Sequence, residues 1–429
     1  SVPVLKSLDL CVALMKKGRV INCLVQNNTF EYSGNCMGGG IGQETGDKND
    51  TCAINCVVRY NTATHGGGVR IRGVILNSTI EYNESSNNGG GLYLQAGSAY
   101  NCIITNNVSL SGGGGVDMYG TGSLVNCLVA NNTAGNVGGL SMRSNNRETA
   151  DSGSDIINCT IVNNTQKNTN NPQFCGVRLD VRNNPNRAFV NNVVYGNTIN
   201  GEVQAQELGG YPQGYGKFLN NAVAGTTANV TYIQLDAENA PQFNENYSFA
   251  WTSPLYNAGS NDALAYFVGD KDVYGNARKQ GTNMEIGAVE HTEYKATVAT
   301  IENGSLTLEF LGQQLELVAG EYSLPEGFTA TVVATPAEGY VLDKITIDQI
   351  ALETVEGVYT LPAIKSNIVL AATFVKQSTP TAVENATNAV QVIAIYDMLG
   401  RQIHNTVNTL ATGMYIVVTS EGTQKISIK

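Results

Sequence analysis

The 429-residue chain is poor in several residue types: it has one Trp, three His, ten Pro and only 14% charged residues. No apolar run reaches the roughly 18 residues that a membrane-crossing helix needs. Ten prolines are too few for a linker-type disordered chain, and 47 glycines without a Gly-X-Y period exclude collagen. His65, His291 and His404 are far apart, so the chain spells out no Ser-His-Asp set. Positive charge is scarce as well. The 25 Lys and Arg stand against 36 Asp and Glu, giving a net charge of −11. Nucleic acid is therefore not an expected partner. An acidic surface could hold calcium, but acidity alone makes no site, so no cofactor is expected.

What the chain has in abundance is repetition. Ile21-Asn22-Cys23, Ile54-Asn55-Cys56, Val125-Asn126-Cys127 and Ile157-Asn158-Cys159 share one motif, and Tyr100-Asn101-Cys102 keeps its last two positions. Leu76-Asn77-Ser78, Val190-Asn191-Asn192 and Leu219-Asn220-Asn221 keep the pattern without Cys. Five residues after the Cys slot stands a second Asn: Asn28, Asn61, Asn83, Asn107, Asn132, Asn164 and Asn197. Glycine clusters then precede Val69-Arg70-Ile71, Leu92-Tyr93-Leu94, Val116-Asp117-Met118, Leu140-Ser141-Met142 and Val177-Arg178-Leu179. Period-two alternation marks half-buried strands, and no helical period intervenes.

Such units, with two or three short strands each, coil so that every strand stacks on its copy about 4.8 Å along the axis. The expected fold is all-β: a right-handed parallel β-helix over residues 1–291, followed by β-sandwich domains. Stacking predicts a ladder of buried, free Cys inside the rod, because one thiol per coil cannot close a tetrahedral metal site. Cys11, Cys36 and Cys175 fall near the glycine slot and are also expected in the core. Stacking also predicts an Asn ladder at a corner, where Asn tolerates left-handed backbone angles and its amide can bond the next rung. The Asn-x-Ser/Thr sequons follow from that corner and read as structure. The pattern opens partway through a coil, which predicts that residues 1–8 cap the rod or that the chain is a mature or trimmed form.

These motifs resemble the right-handed parallel β-helix repeats of the pectin-lyase-like superfamily, especially surface β-helix proteins of Bacteroidetes and polymorphic outer-membrane protein repeats. Ser253-Pro254-Leu255-Tyr256-Asn257-Ala258-Gly259, then Asp272, Gly275, Arg278 and Glu285-Ile286-Gly287-Ala288-Val289-Glu290, resemble the closing segment of such rods, of the choice-of-anchor type. Residues 292–376 lose the glycine clusters. Ala334-Thr335-Pro336-Ala337-Glu338-Gly339-Tyr340-Val341, Tyr359-Thr360-Leu361-Pro362 and Ala371-Ala372-Thr373-Phe374 resemble a bacterial surface β-sandwich repeat. A polar linker, Gln377 to Pro380, leads to residues 381–429. There Ile395-Tyr396-Asp397-Met398-Leu399-Gly400-Arg401 and Gly413-Met414-Tyr415-Ile416-Val417 resemble the C-terminal sorting domain of type IX secretion substrates. The resemblance implies a secreted or outer-membrane-anchored surface protein whose last domain meets the secretion machinery. It does not select an activity, since the fold hosts lyases, hydrolases, adhesins and passive stalks.

Candidate binding residues come from the glycine-cluster strands. With Val69, Leu92, Val116, Leu140 and Val177 inside, Arg70, Tyr93, Asp117, Ser141 and Arg178 form an outward column. Two residues on, Arg72, Gln95, Tyr119, Arg143 and Asp180 form a second. A flat face of Tyr, Arg and Asp suits an extended polysaccharide or host glycan, because rings stack on sugars and polar forks bond hydroxyls. Arg70, Tyr93, Asp117, Tyr119, Arg143, Arg178 and Asp180 are thus the expected contacts, in a non-catalytic binding or adhesive protein. A polysaccharide lyase or glycoside hydrolase would use the same Asp and Arg residues for cation binding and base chemistry. A structural stalk would use them for nothing.

Overall fold

In the computed structural model each repeat unit closes into one coil. The structure describes residues 6–8, 12–14, 18–29, 38–43, 51–144, 151–168, 174–204, 206–225, 229–377 and 392–428. Four stacks of short strands build the rod. The first sheet has ten strands, running from Lys6–Leu8 through Cys23–Gln26, Val57–Arg59, Thr79–Glu81 and Ile103–Thr105 to Ile233–Leu235. The second runs from Val20–Ile21 to Tyr215–Leu219, and the third from Thr62–His65 to Thr198–Ile199, where Glu202–Val203 adds an antiparallel strand. The fourth carries the glycine-cluster strands, among them Val69–Ile71, Leu92–Gln95, Val116–Tyr119, Leu140–Arg143 and Val177–Leu179. Pairing between coils is parallel and in register, as in Leu92↔Val116↔Leu140. This is the expected parallel β-helix, with four strands per coil where the pattern predicted two or three. The extra strand belongs to the third sheet. Pieces such as Val108–Ser109 and Thr133–Ala134 are two residues long and show no apolar alternation.

Inward residues form one continuous core containing Val58, Ile80, Ile104, Val129 and Ile161. Cys56, Cys102, Cys127 and Cys159 are buried in it as free thiols, Cys23 is half-buried at its edge, and Cys175 is buried and free as well. Each of the last three of the stacked thiols bonds the carbonyl two residues back, as Cys127 Sγ does to Val125 O at 3.3 Å. Burial raises the pKa of the Cys127 thiol, and its stacked neighbours Cys102 and Cys159 add to the effect. Cys11 and Cys36, and the residues 1–5 of the expected cap, lie outside the described residues.

The second Asn slot is a buried ladder with one direction. Asn83 donates Nδ2–H and its backbone N–H to Asn107 Oδ1, both at 3.0 Å, and Asn107 does the same to Asn132 Oδ1 at 3.0 and 2.9 Å. The pattern runs from Asn28 to Asn197. From Asn61 to Asn197 the second amide hydrogen bonds a carbonyl of the preceding coil, as Asn107 Nδ2 does to Ile80 O at 2.9 Å. The ladder residues do not themselves adopt left-handed angles, contrary to the expectation. The positive φ falls on the residue before, Asn27, Tyr60, Tyr82, Asn106, Asn131 and Asn163, and on the Asn of the Asn-Cys motif, such as Asn101 and Asn126.

The ladder ends on a carboxylate that the repeat pattern does not reveal. Glu207, fully buried, accepts from Asn197 Nδ2 at 2.7 Å, Asn197 N at 2.9 Å and Gly196 N at 3.0 Å. All the ladder amides point their N–H ends toward it, so their dipoles add at the acceptor, as at a helix N-terminus. Burial nevertheless pushes Glu207 up to about 7, against the pull of those donors. The Cys175 thiol, which feels the Glu207 charge, is pushed up to about 12, by burial first and that charge second.

The closing segment lies along the upper coils. Asn126 Nδ2 donates to Lys271 O at 2.8 Å, Asn158 Nδ2 to Glu285 O at 3.0 Å, Asn191 Nδ2 to Ser260 O at 2.9 Å and Asn220 Nδ2 to Ala258 O at 2.8 Å. Its own motif is a buried polar knot. Arg278 pairs with Glu290 at 3.2 Å and donates to Gly287 O, and Asp272 accepts from Glu290 N at 3.0 Å. Burial, and then Glu290 beside it, raise the Glu285 pKa. Farther on, Glu293–Val298, Glu321–Pro325, Tyr340–Ile347 and Ile368–Lys376 belong to one five-stranded sheet, and Gly304–Phe310, Ala330–Pro336 and Val358–Leu361 to another. Val392–Asp397, Gln402–Ile403, Gly413–Thr419 and Gly422–Ile428 form a four-stranded antiparallel sheet. Its Asp397-to-Arg401 motif is a turn in which Asp397 Oδ1 accepts from Leu399 N and Arg401 N, both at 2.9 Å. Residues 378–380 of the expected linker lie outside the described residues.

Two outcomes follow. Asn107→Ala strands the Asn83 amide and the Ile80 carbonyl, and a buried group left without its partner costs about 1–3 kcal/mol. Thermal unfolding should shift down accordingly, and an unchanged Tm would show that the ladder is not structural. Glu207 has a folded pKa above its ordinary value, so its contribution is complete below about pH 4.5 and is lost as pH rises through about 7. The stability difference between the wild type and Glu207→Gln should therefore shift against the wild type between pH 5 and 8, as read from urea melts.

Candidate functional site

The fourth sheet brings the predicted column together. Arg70, Tyr93, Asp117, Ser141 and Arg178 are directly paired from coil to coil, as are Gln95, Tyr119 and Arg143. The column is not the open face that alternation implies. Asp117 is 0% exposed, Arg70 5% and Asp180 6%, whereas Tyr93, Tyr119, Arg143 and Arg178 are half-buried. The reason is the glycine corner beside it. Gly113 N donates to Asp117 Oδ2 at 3.2 Å, and a Cβ on Gly112 would collide with that same oxygen. The corner folds back over the carboxylate because it has no side chains to hold it off.

The buried charges are paired. Arg143 donates to Asp117 Oδ1 from Nη2 at 2.7 Å and from Nε at 3.2 Å. Arg178 Nη2 lies 3.3 Å from Asp180 Oδ2, two residues on and just past the end of the strand Val177–Leu179. Arg70 Nη2 donates to Gln95 Oε1 at 2.6 Å. Burial raises the Asp117 pKa despite the opposing Arg143 charge. The more exposed partner of each ion pair is the arginine, with 30% of the Arg143 side chain and 35% of the Arg178 side chain open against 0% and 8% of their partners.

His65 joins the site, a contact that spacing alone does not show. Its ring stacks on Tyr93 at 5.5 Å and bonds Asn88 Nδ2 at 3.2 Å. Burial, then the Arg70 and Arg143 charges, lower its pKa, so the ring is neutral at pH 7. It arrives from the end of the third sheet across the Gly66–Gly68 corner. Burial also raises the Tyr93 pKa, and Asp117 adds to it, so the phenol stays a hydrogen-bond donor. The column can thus offer two ring faces, two guanidinium forks and a phenol. Among the described residues no three His, Cys, Asp or Glu gather as a metal site.

Residues 294–378 match the family described as divergent InlB B-repeat domain, which covers the first β-sandwich region. No curated protein and no solved structure matches the chain. The matched repeat and the parallel rod fit a surface protein.

Asp117→Asn should leave the Arg143 guanidinium without its carboxylate and destabilise the rod by about 1–3 kcal/mol, since Arg143 can still turn toward water. Urea unfolding checks this, and an unchanged midpoint would mean that the pair contributes nothing to the fold.

Proposed function

We propose that this is a secreted or cell-surface, non-catalytic glycan-binding protein whose fourth-sheet column binds an acidic polysaccharide. One observation carries the reading: Arg143 and Arg178 are the more exposed partners of their ion pairs and share the two columns of Tyr93 and Tyr119 over successive coils, while Asp117 is sealed beneath. Rings of the sugar chain stack on the tyrosines, and its carboxylates meet the arginines bidentately. Asp117, Asp180 and Arg70 hold these groups in place and do not touch the ligand. Both carboxylates are engaged by arginine, which supports binding over the cation-assisted chemistry of a lyase. Presentation at the surface accords with the B-repeat match, and the last antiparallel sheet would serve sorting and export.

The experiment is calorimetry with oligogalacturonate against the full chain. Tyr93→Ala with Tyr119→Ala should weaken binding at least tenfold, about 1.4 kcal/mol. Unchanged affinity would place the ligand elsewhere. A wild type that binds no acidic oligosaccharide would leave the structural stalk as the better account.

A further inference from the structure

The closing segment leaves part of the first sheet's outer face open. Leu255 and Ile286 pack on Leu128, Ala130, Val162, Val193 and Ala222, with Ile103 at the margin. Below Ile103 the outward residues Thr79, Glu81, Val57 and Arg59 are half-exposed. Where the cover ends there is a cleft of about 430 Å³, bounded by Asn77, Thr79 and Asn101 on the rod and by residues 268–275. That volume lies within the range of small-ligand sites.

The same open stretch ends at a strained aromatic pair. Tyr60 and Tyr82 occupy the left-handed corner at φ 54° and 53°, a position that holds Asn27, Asn106, Asn131 and Asn163 in other coils. Bulky residues are rare there, and backbone strain of this kind clusters at functional sites. Both rings are about half exposed, at 49% and 48%, and they stack at 5.3 Å with 16° between planes. Above Tyr82 in register comes only Asn106, because Glu81 pairs with Thr105.

We propose that this surface, from the cleft beneath residues 268–275 to the Tyr60–Tyr82 stack, is a second carbohydrate site that takes a neutral oligosaccharide. Its charges are already matched. Arg59 lies 3.7 Å from Glu81, bonds Gln26 Oε1 at 3.0 Å and sits over the Tyr60 ring at 5.6 Å. In the cleft Asp270 and Lys271 are exposed side by side, one charge of each sign, so the surface carries no net charge that would select an acidic or basic ligand. A pyranose continues the ring stack with its C–H face, and the amide, carboxylate and guanidinium forks bond its hydroxyls. Thr79 and Tyr82 are three residues apart on one strand and corner, about 10 Å, so one oligosaccharide reaches both.

The test is calorimetry of the full chain with cellohexaose, mannohexaose and chitohexaose. At least one should bind saturably. Tyr60→Asn with Tyr82→Asn installs the residue the corner carries elsewhere, so Tm should hold or rise while affinity falls at least tenfold. Thr79→Arg, which blocks the cleft and spares the tyrosines, should also weaken binding tenfold at unchanged Tm. Tyr93→Ala with Tyr119→Ala should leave hexasaccharide binding intact, which separates this face from the fourth-sheet column. Failure of all three sugars to bind, or unchanged affinity in the Thr79→Arg protein, overturns the proposal. So does a Tyr60/Tyr82 variant that binds as the wild type does, whatever its Tm.

Discussion

Everything in the rod depends on one buried hydrogen bond made again in each coil, from the amide of one Asn to the amide oxygen of the next. An Asn side chain both donates and accepts, so it can pass the bond along indefinitely, and every member from Asn61 to Asn197 does so. It also fixes register. A coil slipped by one residue would leave Nδ2 groups and backbone N–H groups buried without acceptors, at about 1–3 kcal/mol each. A carboxylate only accepts, so it cannot sit inside such a chain, but it can end one. Glu207 stands at that end.

Fixed register turns single residues into columns. Inside, the columns are aliphatic or thiol and fill the core. Outside, the same stacking places Asp117 beside Arg143 and Tyr60 beside Tyr82, although each pair is more than twenty residues apart in the chain. The Asn column of the Asn-Cys motif, Asn101 through Asn220, has a further use: its amides hold the closing segment by backbone carbonyls. That segment decides which outer faces of the rod are covered and which stay open.

What the sequence made legible follows from repetition. The Asn and Cys slots recur at fixed offsets, so stacking, core and ladder could be read from spacing. Spacing places the left-handed corner one residue too late, because Asn occupies both the corner and the ladder in several coils, and Tyr60, Tyr82 and Gly196 break the ambiguity. Glu207 was illegible, since the strand it precedes, Leu208–Gly210, pairs with Val177–Leu179 but lacks the glycine cluster that marks the other coils. The burial of Asp117 was illegible too. Alternation places it outward, and only the fold of Gly112 and Gly113 back over it takes it from water. Asp272, Arg278 and Glu290 stood out as a motif, but nothing in their spacing reveals that they form a buried knot against one another.

The contrast between columns within this one chain says where function can reside. The ladder slot holds Asn in seven coils running because its two bonds leave no choice. The corner before it needs only a left-handed backbone, which Asn supplies cheaply and Tyr supplies at a cost. Where Tyr stands in two neighbouring corners, the fold did not require it, and the ring stack returns only part of the strain. The fourth-sheet column is freer still, since Arg, Tyr, Asp and Ser follow one another at one position with the backbone unchanged. A scaffold held by its repeated interior can vary these outward positions coil by coil, and both proposed binding surfaces lie at such positions.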